Sequence, residues 1–570
     1  MKRLKLVGTL ACLISLALLP SGAPAGWQEN GNPVCTASGN QLDLQVTSDG
    51  TGGAIITWVD YRGTDPDIYA QRVAASGDTL WMTSGVAICT ATSTQFRPQI
   101  TSDGAGGAFI TWQDERSGDY NSHIYAQRVD ASGSVLWTMD GVAICTADWE
   151  QEFPQIVSDG AGGAIITWQD YRSSVTSWDI YAQRVDASGN VLWIVDGEII
   201  CAAPSHQEDP QIASDGASGA IITWNDYRSG RWDIYVRRVS ASGDTLWTGN
   251  GVPIVTRTGD QMQAQIISDG AGGAIITWED LRVAMQADIS AQRVDASGSV
   301  LWTPDGEDVC EALNDQRYPQ LDSDGAGGAI ITWEDYRSSV TSLDIYAQRV
   351  DASGNMLWTA DGEPVCTAGN GQTYPEIVSD EAGGAIITWR DNRSGVTSWD
   401  IYAQRVDASG NTLWAGNGEA ISTDPNSQYN PQIVSDGAGG TIVTWRDNRN
   451  GIVNWDIYVG RVDGNGPVVS VEEIPAPTEA YWMEQNFPNP FNPLTTIVFH
   501  IVKPAHVVIR ICDIAGRPVR TLVEGWYEAQ RYEIAWDGRD DEGRDVVSGV
   551  YLYQLETTGG AESKKMVLLR

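Results

Sequence analysis

Histidine is scarce in this 570-residue chain: there are four, His123, His206, His500 and His506, and none lies in an H-E-x-x-H motif. A zinc protease of that type is excluded, because its metal needs two imidazoles one helical turn apart. No G-x-S-x-G elbow occurs either, which removes the usual hydrolase route to an activated serine. Positive charge is also in short supply, with 36 Lys and Arg against 74 Asp and Glu, a net charge of −38. Such a balance excludes nucleic acid and anionic membrane as expected partners and favours solubility. Beyond residues 6–19 there is no long apolar run, and no stretch carries the 3.6-residue periodicity of an amphipathic helix. Carboxylates are abundant, so acid pairs for glycoside chemistry are not excluded, but their separation cannot be read from sequence.

The first 25 residues combine a basic start (Lys2, Arg3, Lys5), the apolar stretch 6–19, and small residues Ala23-Pro24-Ala25. This reads as a secretory signal with cleavage before Gly26, and the apolar stretch is too short to span a bilayer as a helix. Loss of the three basic residues takes −38 to −41 in the mature chain. The chain is expected to be secreted or held on the outer cell surface, and to act as a monomer. Six of the eight cysteines (Cys35, Cys89, Cys145, Cys201, Cys310, Cys366) share one repeat position that elsewhere holds Val255 or Ser422. A site that accepts Cys, Val or Ser is a small buried plug, so these thiols are expected to be free rather than bridged.

What the chain has in abundance is repetition. A string close to SDGxGGAIITW recurs, its Trp falling at 58, 112, 168, 224, 278, 333, 389 and 445, a period of 54–56 residues. In the second unit, residues 98–101, 108–113 and 124–129 read as strands. Segments 135–137 and 142–145 follow an Asp-Ala-Ser-Gly turn and supply the outer strand. Four strands in a unit of this length predict a propeller blade. The eighth unit lacks the last strand, and Trp27, Gly31 and Cys35 reproduce the spacing of Trp81, Gly85 and Cys89. The fold class expected is therefore all-β: an eight-bladed β-propeller over 26–466 with an N-terminal strand closing the last blade. A linker at 467–478 and a small Ig-like β-sandwich at 479–570 follow.

The blade pattern, P-x-x-SDG then W-x-D-x-R-S-G, D-I-Y and D-x-S-G, resembles the repeat of TolB-type and related WD-like bacterial propellers. The likeness covers about 27–463 and departs in its longer period and in the Trp ending the second strand. It implies the fold and not a TolB function, whose separate N-terminal domain has no counterpart in the sequence. The C-terminal residues Asn486-Phe487-Pro488-Asn489-Pro490-Phe491-Asn492-Pro493, Gly516-Arg517-Pro518-Val519-Arg520-Thr521-Leu522 and Trp536-Asp537-Gly538-Arg539-Asp540 are similar to the FlgD-type Ig-like domain used for sorting in type IX-like secretion. Ser548-Gly549-Val550-Tyr551-Leu552-Tyr553 and the ending 565–569 complete the likeness. It implies delivery through the outer-membrane secretion machinery. Strands are expected at 496–501, 507–511, 532–536, 550–555 and 565–569.

An Asp and an Arg two residues apart follow every repeat Trp, from Asp60/Arg62 to Asp447/Arg449. Their presence in all eight units argues for blade construction, because a reaction centre on a pseudo-symmetric ring needs unlike groups converging once. The Asp-Gly turns offer calcium as the one candidate ion, through Asp49, Asp103, Asp159, Asp215, Asp269, Asp324 and Asp436, although hairpin chemistry alone explains Asp-Gly. Departures between units are the better guide to function. The loop between second and third strands varies most, and Tyr120, Trp178, Trp232, Trp399 and Trp455 are its candidate binding residues. The favoured reading is a non-enzymatic surface scaffold binding a glycan or extracellular protein. The alternatives are a propeller glycoside hydrolase or lyase and a purely structural envelope protein.

Overall fold

The structure is a computed structural model that describes residues 26–467 and 481–570, apart from 119–120, 174–176, 284–285, 339–342, 396–397 and 452–453 in the repeats and 484–485, 487, 502–503, 515, 529 and 558–559 beyond them. The secretory segment 1–25 and most of the expected linker lie outside the described residues. The chain divides into two compact units, 1–469 and 470–570.

The first unit contains eight antiparallel sheets, seven of them of four strands in sequential order. In the second sheet these are Gln95–Ser102, Ala108–Asp114, His123–Val129 and Val142–Cys145. The expected segment 135–137 is not a strand; Val135 makes a single bridge to Val129. Every second strand is the apolar run of its repeat and is buried along nearly its whole length, because neighbouring sheets cover both of its faces. First strands of successive sheets pack against one another around the axis, and the first sheet packs against the eighth. Leu44, Ile56 and Trp58 share one apolar cluster with Ile442, Ile457 and Val459, which closes the ring.

The closing strand is the N-terminal one, as its spacing predicts. Asn32–Cys35 pairs with Asp456–Asp463 to complete the eighth sheet. Trp27 Nε1 donates to Ala75 O at 3.0 Å, the bond that Trp81 makes to Ala131 O in the next blade. The first unit is thus an eight-bladed propeller with a two-ended last blade.

The second unit is a sandwich of two sheets, one of Tyr481–Met483, Thr495–Ile501 and Gln530–Trp536, the other of Pro518–Tyr527, Ala505–Asp513, Gly549–Thr557 and Gly560–Leu568. Trp536, Tyr553 and Met566 are buried in its core. Pro518–Tyr527 is a strand that sequence reading missed. Only Val523 on it is buried, so its side chains do not alternate cleanly between apolar and polar.

Candidate functional site at the channel mouth

The repeated Asp and Arg are structural. Asp114 Oδ1 accepts from Arg116 N and Nε, while Oδ2 accepts from Arg116 Nη2 at 2.6 Å and from the buried Trp112 Nε1 at 2.7 Å. Arg116 Nη2 also donates to Asp140 O at 2.8 Å and lies 3.2 Å from Cys89 Sγ of the preceding blade, and its guanidinium covers the Tyr125 ring at 3.8 Å. One residue pair therefore satisfies a buried indole and ties two blades together. Cys89 is free and buried, and burial pushes its thiol up to about 12. The fifth blade departs: Ser290 replaces the tyrosine, Arg282 turns to Asp308, and Trp278 Nε1 has no hydrogen-bond partner among the described residues.

The Asp-Gly turns are also fully engaged. Asp103 Oδ1 accepts from Ala105 N and Gly107 N, and Oδ2 from Arg128 at 2.8 Å. Asp49, Asp159, Asp215, Asp269, Asp324 and Asp436 each face the matching third-strand arginine in the same way. Each of these carboxylates is thereby paired with a guanidinium. Among the described residues no group of three or more His, Cys, Asp or Glu is placed to hold a metal ion. Calcium is not needed to explain these turns.

Of the loop aromatics, Tyr120 lies outside the described residues. Trp178 packs on Tyr171 and Trp232 on Tyr227 of their own blades, at 5.1 and 5.0 Å. Trp399 and Trp455 instead come together across Tyr429, at 6.4 and 5.2 Å.

Another set of residues converges where the inner strands begin. Each inner strand carries a bulge near its start, with a non-glycine residue in the left-handed region: Asp43, Arg97, Phe153, Asp209, Gln263, Tyr318, Tyr374 and Asn430, with φ between 49° and 56°. Left-handed backbone costs a residue with a Cβ about 1–2 kcal/mol, and bulges serve to re-aim side chains. The backbone is eightfold alike here, yet the eight side chains differ. Several surround a cavity of about 420 Å³ among the inner strands, lined by Asp43, Arg97, Phe153 and Asn430.

These side chains meet their neighbours around the ring. Arg97 lies over Phe153 at 3.7 Å, and Tyr318 stacks on Tyr374 at 5.9 Å and 14°, both rings well exposed at 41% and 45%. Behind them stands the residue between the repeat Trp and Asp: Val59, Gln113, Gln169, Asn225, Glu279, Glu334, Arg390 and Arg446. Gln113, Gln169, Glu279 and Glu334 each accept, through the side-chain oxygen, the N–H of the next blade's left-handed residue, at 2.7–3.1 Å. Burial pushes Glu334 up to about 7. Sequence reading fixed on the constant W-x-D and passed over its variable middle position. That variation inside a constant frame was the available signal.

One triad-like contact fails on geometry. His206 Nδ1 faces both Ser177 Oγ at 3.2 Å and Glu208 Oε1 at 3.0 Å. A relay needs the two partners on different ring nitrogens.

Comparison with known proteins adds one firm assignment. Residues 495–561 match the FlgD Ig-like domain. The FlgD Ig-like match covers most of the second unit's sandwich and does not extend to the propeller. No curated protein matches the chain in sequence. Solved structures with similar coordinates include an ulvan lyase of polysaccharide lyase family PL25, at 10% identity, covering 70% of this chain and 97% of that one with a TM-score of 0.39. A Hadza microbial sialidase is 12% identical over 60% of this chain and 73% of its own, at 0.33. The endo-arabinase from Bacteroides thetaiotaomicron is 16% identical over 44% and 93%, at 0.27. Likeness at this level carries no argument about the site.

Proposed function

We propose that this chain is an exported, non-enzymatic binding protein that holds an extracellular glycan at the mouth of the propeller channel. The observation that carries this is the convergence of unlike side chains there, with exposed parallel tyrosine rings among them, on a frame that otherwise repeats eight times. Flat aromatic faces suit the C–H faces of sugar rings. Delivery rests on the secretory-type N-terminus and on the FlgD Ig-like domain, which fits a type IX sorting module.

The competing reading is a propeller carbohydrate-active enzyme, and Glu334, with its raised pKa, is the acid it would use. Against it, Glu334 occupies the position of Gln113 and Gln169 and makes their bond, to Tyr374 N at 2.7 Å.

A glycan and extracellular-matrix array probed with mature chain 26–570 tests the reading. Saturable binding lost in Tyr318→Ala/Tyr374→Ala supports it. Cleavage of the bound glycan, abolished by Glu334→Gln, would replace it with the enzyme. Removal of 479–570 is expected to leave the propeller inside the cell envelope, and surface display of the truncated chain would refute the sorting role.

A further inference from the structure

The geometry points to an acidic glycan as the ligand, its carboxylate or sulfate groups held by Arg390 and Arg446 in an aromatic box between the seventh and eighth blades. This rests on the binding reading above.

Between residues 26 and 467 there is no lysine, so every cationic side chain on the propeller except histidine is an arginine. Each blade has two built-in arginines, one beside its W-x-D motif and one on its third strand, and all are ion-paired, as Arg116 and Arg128 are in the second blade. Arg257 and Arg317 are paired too. Among the described residues, Arg390 and Arg446 have no carboxylate within ion-pair distance, and Arg97, also at the mouth, has none. Elsewhere on the propeller, among the described residues, only exposed Arg231 and buried Arg237, which donates to Ile200 O, share that state. In a chain of charge −38, unpaired guanidiniums thus gather at one place.

The Arg390 guanidinium lies 4.1 Å from the Tyr374 ring, 4.6 Å from Trp399 and 5.2 Å from Tyr429, and Nε donates to Thr373 Oγ1. Arg446 lies 5.5 Å from the Trp455 ring, and its buried Nε has no hydrogen-bond partner among the described residues. Burial lowers the pKa of both, and Arg390 lowers that of Arg446 further, while Asp43 and Glu334 oppose this from beyond pairing distance. Two like charges, half-dehydrated and one with an unsatisfied donor, are costly as they stand. A planar anion would use the free N–H groups and relieve the repulsion. The equivalent positions in the other six blades are neutral or acidic. Beside the box stand the exposed, parallel Tyr318 and Tyr374 rings, a platform that a sugar uses and an isolated peptide carboxylate does not.

The test is calorimetric titration of mature chain with polygalacturonate and chondroitin sulfate, with dextran as the neutral sugar and poly-glutamate as the anion without sugar. At least one acidic glycan should bind, and Arg390→Gln/Arg446→Gln should weaken it by about tenfold or more. The double variant should melt no lower than the parent, since it removes two unpaired charges. Arg390→Lys/Arg446→Lys should fall between, because lysine keeps the charge and loses the fork. Failure of both acidic glycans to bind, or binding untouched by the double Gln variant, overturns the inference. Dextran as tight as the acidic glycans also overturns it. Poly-glutamate as tight as the glycans would assign the box to an acidic protein instead. Array binding lost in the tyrosine variants but not in the arginine variants would leave the glycan reading standing and remove the acidic one.

Discussion

At residue 85 the backbone has room for a hydrogen and nothing larger. Gly85 has φ +90°, and a Cβ there would meet Trp58 Cη2 at 2.6 Å and Ala70 O at 2.8 Å. Gly141 stands in the same relation to Trp112. Gly85→Ala is expected to cost about 2 kcal/mol or more, read as a drop in melting temperature. Gly104→Ala, at φ +72° with open space around it, should cost about 1 kcal/mol of backbone strain. Glu334 makes a second prediction. It is 2% exposed, and burial raises its pKa to about 7. An acid whose folded pKa lies above its unfolded value contributes stability below the unfolded pKa and loses it as pH rises through the folded one. Melting temperature should therefore fall between about pH 4.5 and 7. Glu334→Gln, which restores the residue type of Gln113 and Gln169, should flatten that fall and stabilise the chain at pH 8 by up to about 3 kcal/mol. A parent and variant with parallel pH profiles would refute this.

At the scale of the element, the N-terminal strand is the piece on which ring closure turns. Asn32–Cys35 fills the edge of Asp456–Asp463, Asn30 O accepts from Arg449, and Trp27 reaches the first blade. Removing 26–36 should expose that edge and lower the melting temperature by several degrees, with early proteolysis in the eighth blade. Unchanged melting would mean that the clasp contributes nothing. Strand order and blade boundaries were legible in sequence because the apolar run, the Asp-Gly turn and the D-I-Y segment recur at fixed spacing. The inner-strand bulge was not. Its left-handed residue is Arg97 in one blade and Phe153 in the next, neither of which signals positive φ.

Across the whole molecule, stability comes from inter-blade ties repeated around a closed ring. Seven of the eight Asp-turn arginines bond their own blade and the next, as Arg128 does to Asp103 and to Ala187 O. Because those carboxylates are already satisfied by guanidinium groups, chelator is expected to leave the melting temperature unchanged; a fall restored by calcium would contradict the geometry. All seven described cysteines are free and buried. They should resist thiol reagent in the native protein and react after denaturation, and a melting temperature that falls with reductant would reveal a bridge.

Sequence alone determined that this is a ring of eight like units closed by its own N-terminus, because strand period, turn residues and core side chains are local signals that repetition amplifies. It also determined that the constant Asp and Arg are structural, since a site needs asymmetry. Only the tertiary structure decided where the asymmetry gathers. Tyr318, Tyr374, Arg390, Tyr429, Arg446 and Trp455 are spread over three blades and nearly 140 positions, and no spacing rule links them. Ring closure and the bulge bring them to one mouth, and which guanidiniums lack a partner is visible only once all the others have found theirs.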